Sequence, residues 1–154
     1  LATMSPRTSV QRFMPAMLWH EGVWSGVYRH IAEDNTLLDE HRSLVSCVFP
    51  DDGDIAYTQD SDFTWADGTT RQQTFNGYMK NDRLWFDTET FAGWAWETGN
   101  GIIMLSLDRK DYPGQRFVET ILSSTNRERR VRTWHWFEDG ICFKRTLCAE
   151  QRVE

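Results

Sequence analysis

Three cysteines in 154 residues, Cys47, Cys142 and Cys148, are too few and too scattered for a disulfide framework or a zinc motif. They are expected as small buried hydrophobes in a reducing cytoplasm. No apolar run approaches the roughly 20 residues of a membrane helix, so membrane insertion is not expected. No basic-then-apolar leader stands at the start, and Leu1-Ala2-Thr3 ahead of Met4 reads as a tag remnant. Basic residues are in deficit. Lys and Arg number 17 against 23 Asp and Glu, giving a net charge of −6 that argues against a nucleic-acid partner. Helical periodicity is missing after about residue 17. Gly-rich phosphate loops, Ser/His/Asp nucleophile motifs, repeats and linkers are missing too, so residues 1–154 are expected to form one domain with no cofactor.

What remains is aromatic and strand-like. Aromatic residues make up 14% of the chain, with eight Trp. Indoles are costly to expose and dominate apolar pockets, so some are expected to line a cavity. Ser5-Pro6 predicts the start of one short helix ending before Pro15, with Ser as N-cap and Pro at the first helical position. Alternating runs then predict ten strands, at about 19–31, 37–49, 55–65, 69–79, 83–90, 91–98, 102–107, 116–123, 129–138 and 141–150. Asp67-Gly68, Asn81-Asp82, Asn100-Gly101 and Asp139-Gly140 supply turn residues that tolerate φ > 0. Every connection is short, and parallel pairing needs about a dozen residues or more. The expectation is an all-β, antiparallel up-and-down barrel of about ten strands with a short N-terminal helix. An immunoglobulin-like sandwich is the alternative, but no Cys…Trp…Cys spacing supports it.

The first strand carries Gly22-Val23-Trp24-Ser25-Gly26-Val27-Tyr28. Side chains alternate along a strand, so Trp24, Gly26 and Tyr28 share a face with His20 and Gly22. Glycines beside a large indole fit a strand that bends and is closely approached by other segments. Gly22-Val23-Trp24 resembles the first-strand Gly-x-Trp signature of lipocalins and related calycin barrels. The resemblance implies a barrel with an internal pocket. Because the turn after Ile31 leaves no room for a helical lid, the meander is most similar to lidless, ten-stranded nitrobindin-type barrels and to bacterial lipocalin-like domains. Haem, the nitrobindin ligand, would need an inward His on a late strand, and His135 is phased outward.

With Asp139-Gly140 as a two-residue loop, Glu138 pairs with Ile141, Trp136 with Phe143, Trp134 with Arg145 and Arg132 with Leu147. That register sends Trp134, Trp136, Phe143, Leu147 and Arg145 inward. A cation–π contribution of about 0.5–2 kcal/mol does not offset burial of an unpaired guanidinium, so Arg145 needs an acidic partner or a carboxylate or carbonyl on a ligand. The lipocalin resemblance implies a late-strand Arg stacked on the first-strand Trp; the fatty-acid-binding branch implies an Arg holding a ligand carboxylate.

No pair of histidines has metal-ligand spacing, so no metal is expected. His41 shares a strand face with Asp39 and Ser43 and is a candidate base or polar anchor. Asp87, Glu97 and Glu119 are carboxylates in apolar company. With Asn81-Asp82 as a loop, Tyr78 faces Trp85 and Asp87 faces Asn76, a possible polar corner of the cavity. The functional expectation is binding of a small, largely apolar or carboxylate- or carbonyl-bearing molecule by Trp24, Tyr28, His41, Tyr78, Trp85, Trp134, Trp136 and Arg145. The competing class is a cofactor-independent isomerase, cyclase, hydratase or lyase using His41, Tyr28 or Asp87 for proton transfer. Convergence of the polar groups separates the two.

Overall fold

A computed structural model describes residues 4–153; Leu1-Ala2-Thr3 and Glu154 lie outside the described residues. Helix α1 runs Pro6–Phe13, with Pro6 in its first turn and Ser5 Oγ accepting from the Thr8 amide at 3.2 Å. A 3-10 segment, Pro15–His20, follows it. The strands are β1 Gly22–Ala32, β2 Leu37–Val48, β3 Tyr57–Thr64, β4 Thr70–Lys80 and β5 Arg83–Asp87. The second half supplies β6 Phe91–Glu97, β7 Ile103–Arg109, β8 Gln115–Ser123, β9 Arg129–Glu138 and β10 Ile141–Arg152. Each strand pairs antiparallel with its sequence neighbour, and β10 returns to β1, closing the barrel. Closure satisfies both edges of the sheet at once.

The turn chemistry explains the meander. Asp139 and Gly140 both take positive φ, 48° and 85°, as a tight hairpin of this hand requires. Gly26 answers a close approach. A Cβ there would lie 2.5 Å from Glu150 Cγ and 2.7 Å from the Ala149 carbonyl, so only glycine lets β10 pack on β1.

One end of the barrel is plugged. Val10 and Met14 of the helical segment and Met17 of the 3-10 segment are buried in one core cluster with the fully enclosed Trp24. His20 stands on the 3-10 segment, one turn before the strand, and not on the strand face expected from alternation. Trp24 Nε1 donates to the His20 carbonyl at 2.9 Å, and guanidiniums of Arg130 and Arg152 lie 4.5 and 4.3 Å from the Trp24 ring. Arg152 also donates to the carbonyls of Trp19 and Glu21, tying the last strand to the segment that leads into β1.

The last hairpin corrects the expected register. Ile141 pairs with Glu138 and Cys142 with Phe137, but the ladder then skips Phe143. Lys144 faces Trp136, Arg145 faces His135 and Thr146 faces Trp134. An extra residue in one strand turns every later side chain to the opposite face. Arg145 therefore leaves the interior and donates to the Asn35 side chain at an exposed position. Leu147 is 39% exposed, while Thr146, Cys148 and Glu150 point inward and are buried. The late-strand arginines over the first-strand tryptophan are Arg130 and Arg152, the latter beyond the expected end of the last strand.

Candidate functional site

A cavity of about 400 Å³ occupies the other end of the barrel. That lies within the roughly 300–1,000 Å³ typical of small-molecule sites. Its exposed members Arg71 and Asp111 mark the mouth, and Met17 of the plug marks the floor.

One wall is the first hairpin. Register pairs Tyr28 with His41 and His30 with Asp39, so all four side chains enter the same space. The Tyr28 and His41 rings stack, with centroids 5.1 Å apart and planes 8° from parallel. His41 Nδ1 lies 2.8 Å from Asp39 Oδ2, while Trp65 Nε1 donates to Asp39 Oδ1 at 2.8 Å. His30 Nδ1 is 2.7 Å from Thr146 Oγ1, which also accepts from Trp136 Nε1 at 2.8 Å. Burial, reinforced by the Lys144 charge, lowers the His30 pKa to about 4, so its imidazole is neutral at physiological pH. Burial would raise the Asp39 carboxyl, but hydrogen bonds from His41 and Trp65 outweigh it and hold the pKa below the usual value.

The facing wall is apolar. Phe86, Phe91, Leu105, Leu107, Phe117, Ile121, Trp134 and Trp136 line it. Phe91 meets Phe75 edge-on at 5.2 Å, and Phe117 lies 4.6 Å from Trp136, so the rings brace one another.

Deeper in, Arg132 Nε donates to Glu119 Oε2 at 2.8 Å and Nη1 donates to the Tyr28 hydroxyl at 2.8 Å. Arg130 and Glu150 form a second buried pair at 2.8 Å, with Glu150 also 3.8 Å from Arg132. Burial pushes the Glu119 carboxyl up, and Arg132 opposes that shift. Burial also raises the Tyr28 phenol, so Tyr28 stays protonated. The two carboxylates and two guanidiniums of the network neutralise one another. The network fixes the polar end of the cavity, where Arg132 itself lines the wall.

The mouth carries the unspent charge. Arg109 is held by Asp111 through bonds of 2.9 and 2.7 Å. Lys144 is half-buried, lies 4.5 Å from the Trp136 ring centroid and has no carboxylate within ion-pair distance among the described residues. Burial, then the neighbouring Arg109, lowers its pKa.

Of the residues expected from sequence, Tyr28, His41, Trp134 and Trp136 meet in this cavity. Trp24 is buried but belongs to the plug. The expected polar corner is on the outside instead: Tyr78 and Trp85 pair as expected, but Tyr78 is 44% exposed and Trp85 Nε1 bonds the Lys80 carbonyl at an exposed position. Asp87 pairs with Lys110 on the same outer surface. Glu97 accepts from the Ala16 amide at 2.6 Å, serving the plug. His30, Asp39, Trp65, Arg132 and Lys144 join the site without having been expected among its residues. Asp39 and Arg132 were detectable by phase, two residues from His41 and Trp134; Lys144 was hidden by the bulge.

No family model matches the chain, and no curated protein matches it significantly. Solved structures do. The S-type phycobiliprotein lyase CpeS from Guillardia theta superposes with a TM-score of 0.73 at 15% identity, covering 97% of this chain and 95% of that one. A DUF3598-family protein of unknown function from Nostoc punctiforme gives 0.63 at 19% identity over 89% of this chain, which spans about half (49%) of that protein. Rv2717c from M. tuberculosis gives 0.63 at 12% identity, covering 95% and 98% of the two chains. With the closed ten-stranded meander and the Gly-x-Trp strand capped by a late arginine, these matches establish a lipocalin-like barrel fold of the calycin type.

Proposed function

We propose that this barrel binds a small, largely apolar, planar molecule carrying one acidic or carbonyl group. The observation that carries the reading is the cavity's asymmetry: a continuous aromatic wall leads to a mouth where Lys144 is half-buried without a carboxylate partner. In a chain of net charge −6, Arg71, Arg109 and Lys144 outnumber Asp39 and Asp111 at this opening, a local reversal of sign. An apolar body fits against Trp134, Trp136 and Phe117, with its anionic end at Lys144. The lysine takes the anchoring role that sequence alone assigned to Arg145. The three cysteines are unpaired, which suits a reducing cytoplasm.

A fluorescence titration with 8-anilino-1-naphthalenesulfonate, an aromatic anion of suitable size, tests this. Saturable binding at one site per chain is expected. Lys144→Met weakens it by roughly three- to tenfold, the scale of one partly screened charge, and Arg145→Met leaves it unchanged. Equal loss in both variants, or none in Lys144→Met, contradicts the reading.

A specific contact supports a second reading, a cofactor-independent enzyme. Asp39 at 2.8 Å from His41 Nδ1 would hold the imidazole with Nε2 as proton acceptor. Tyr28, stacked on that ring, is the neighbouring acid; Asp87, on the outer surface, has no part. The matched Guillardia theta protein is itself named a lyase. Turnover of a bound carbonyl compound that disappears in His41→Gln, with the probe's affinity retained, would select this reading.

A further inference from the structure

We propose that His30, Asp39 and His41 form a binding site for a divalent transition-metal ion at the mouth of the barrel. One ligand atom from each of the three lies within 4.8 Å of the other two, and among the described residues no other His, Cys, Asp or Glu group does this. Sequence spacing conceals the cluster because its members come from two strands. Pairing of β1 with β2 sets His30 opposite Asp39, and alternation brings His41 to the same face two residues later.

The donors select the ion. Two imidazoles and one carboxylate suit zinc, cobalt, nickel or ferrous iron, whereas magnesium and calcium prefer all-oxygen shells. Tetrahedral zinc with ligands at about 2.0–2.1 Å separates those ligands by roughly 3.3 Å. The present spread of 4.8 Å or less therefore has to close by about 1.5 Å at most. Outer contacts are already in place: Trp65 Nε1 holds Asp39, and Thr146 Oγ1 holds His30. Three protein ligands leave at least one position open, and it faces the cavity.

The opposing consideration is charge. Lys144 lines the same mouth, and its ammonium repels a cation placed among these residues. A hydrogen-bonded aromatic cluster that holds no metal is the alternative the test separates from this site. The two differ in what Lys144 does: if an ion binds here, removing the lysine must strengthen it.

Dialysed protein titrated with Co²⁺ alone, followed by visible absorption and Zn²⁺ competition, decides the matter. One ion per chain is expected, without the thiolate charge-transfer band that a cysteine site such as Cys142 would give. His30→Gln and His41→Gln each weaken binding at least tenfold, and Lys144→Met tightens it. Thermal unfolding with and without Zn²⁺ is the parallel readout, with Tm raised by the ion in wild type and not in the histidine variants. Should His41→Gln fail to fold, the half-buried His30 position decides alone. No stoichiometric uptake, uptake unchanged in His30→Gln, or a thiolate band overturns the site. The probe is the metal, so this result stands apart from that of the naphthalenesulfonate titration.

Discussion

Arg132 and Glu119 sit inside the barrel with almost no solvent contact, 2.8 Å apart. A buried pair of this kind contributes little net stability, because desolvation offsets the attraction. Removing one member is different, since the other charge is then left alone in an apolar interior. Glu119→Leu is expected to cost about 3–5 kcal/mol in urea unfolding, and Glu119→Leu with Arg132→Met to recover most of that loss. A single variant as stable as wild type would show that the pair is not charged as drawn. Both residues were partly readable from sequence. Glu119 lies among Phe117, Val118 and Ile121, and Arg132 is in phase with Trp134. That they meet was not readable, because it depends on the pairing of β8 with β9.

The 3-10 plug and the last strand carry the element-scale consequences. Both ring nitrogens of His20 are buried without hydrogen-bond partners among the described residues. Burial, with Arg130, Arg132, Arg152 and Arg127 nearby, lowers its pKa to about 3 from a usual 6.5. The folded value is depressed, so the unfolded chain binds the extra proton between those two values. Stability is full above pH 6.5 and falls as the pH drops towards 3, by up to about 1.4 kcal/mol per pH unit from this group. His20→Met is expected to flatten that stretch of the urea-unfolding profile; equal slopes in both proteins would contradict the assignment. On β1, Gly26→Ala is expected to cost about 2 kcal/mol or more, because its Cβ would collide with the Ala149 carbonyl and Glu150. Wild-type stability in that variant would mean that β10 lies farther from β1. Strand extents were legible in the sequence because alternation and turn residues act locally. The face of each residue in β10 was not. A bulge is one residue long, leaves no composition signal, and moved Arg145 outside while bringing Lys144 to the mouth.

For the whole molecule, closure was foreseeable and the position of the pocket was not. Ten short-linked strands must protect their edges, and a barrel does so. Aromatic residues line both surfaces of β5 and β6, however. Trp85 and Trp94 lie outside with tilted rings 5.2 Å apart and Arg83 over the Trp94 ring, while Phe86 and Phe91 point inside. Polarity therefore could not tell wall from cavity there, and Tyr78, Trp85 and Asp87 were assigned to the wrong side. The eight indoles now provide a direct readout of where a ligand sits. The decisive measurement is NMR of indole-¹⁵N-labelled protein titrated with 8-anilino-1-naphthalenesulfonate. Shifts are expected at Trp65, Trp134 and Trp136, which line the cavity, with Trp85 and Trp94 unmoved. Shifts confined to Trp85 and Trp94, or no saturable shift at any indole, would contradict a ligand-binding cavity.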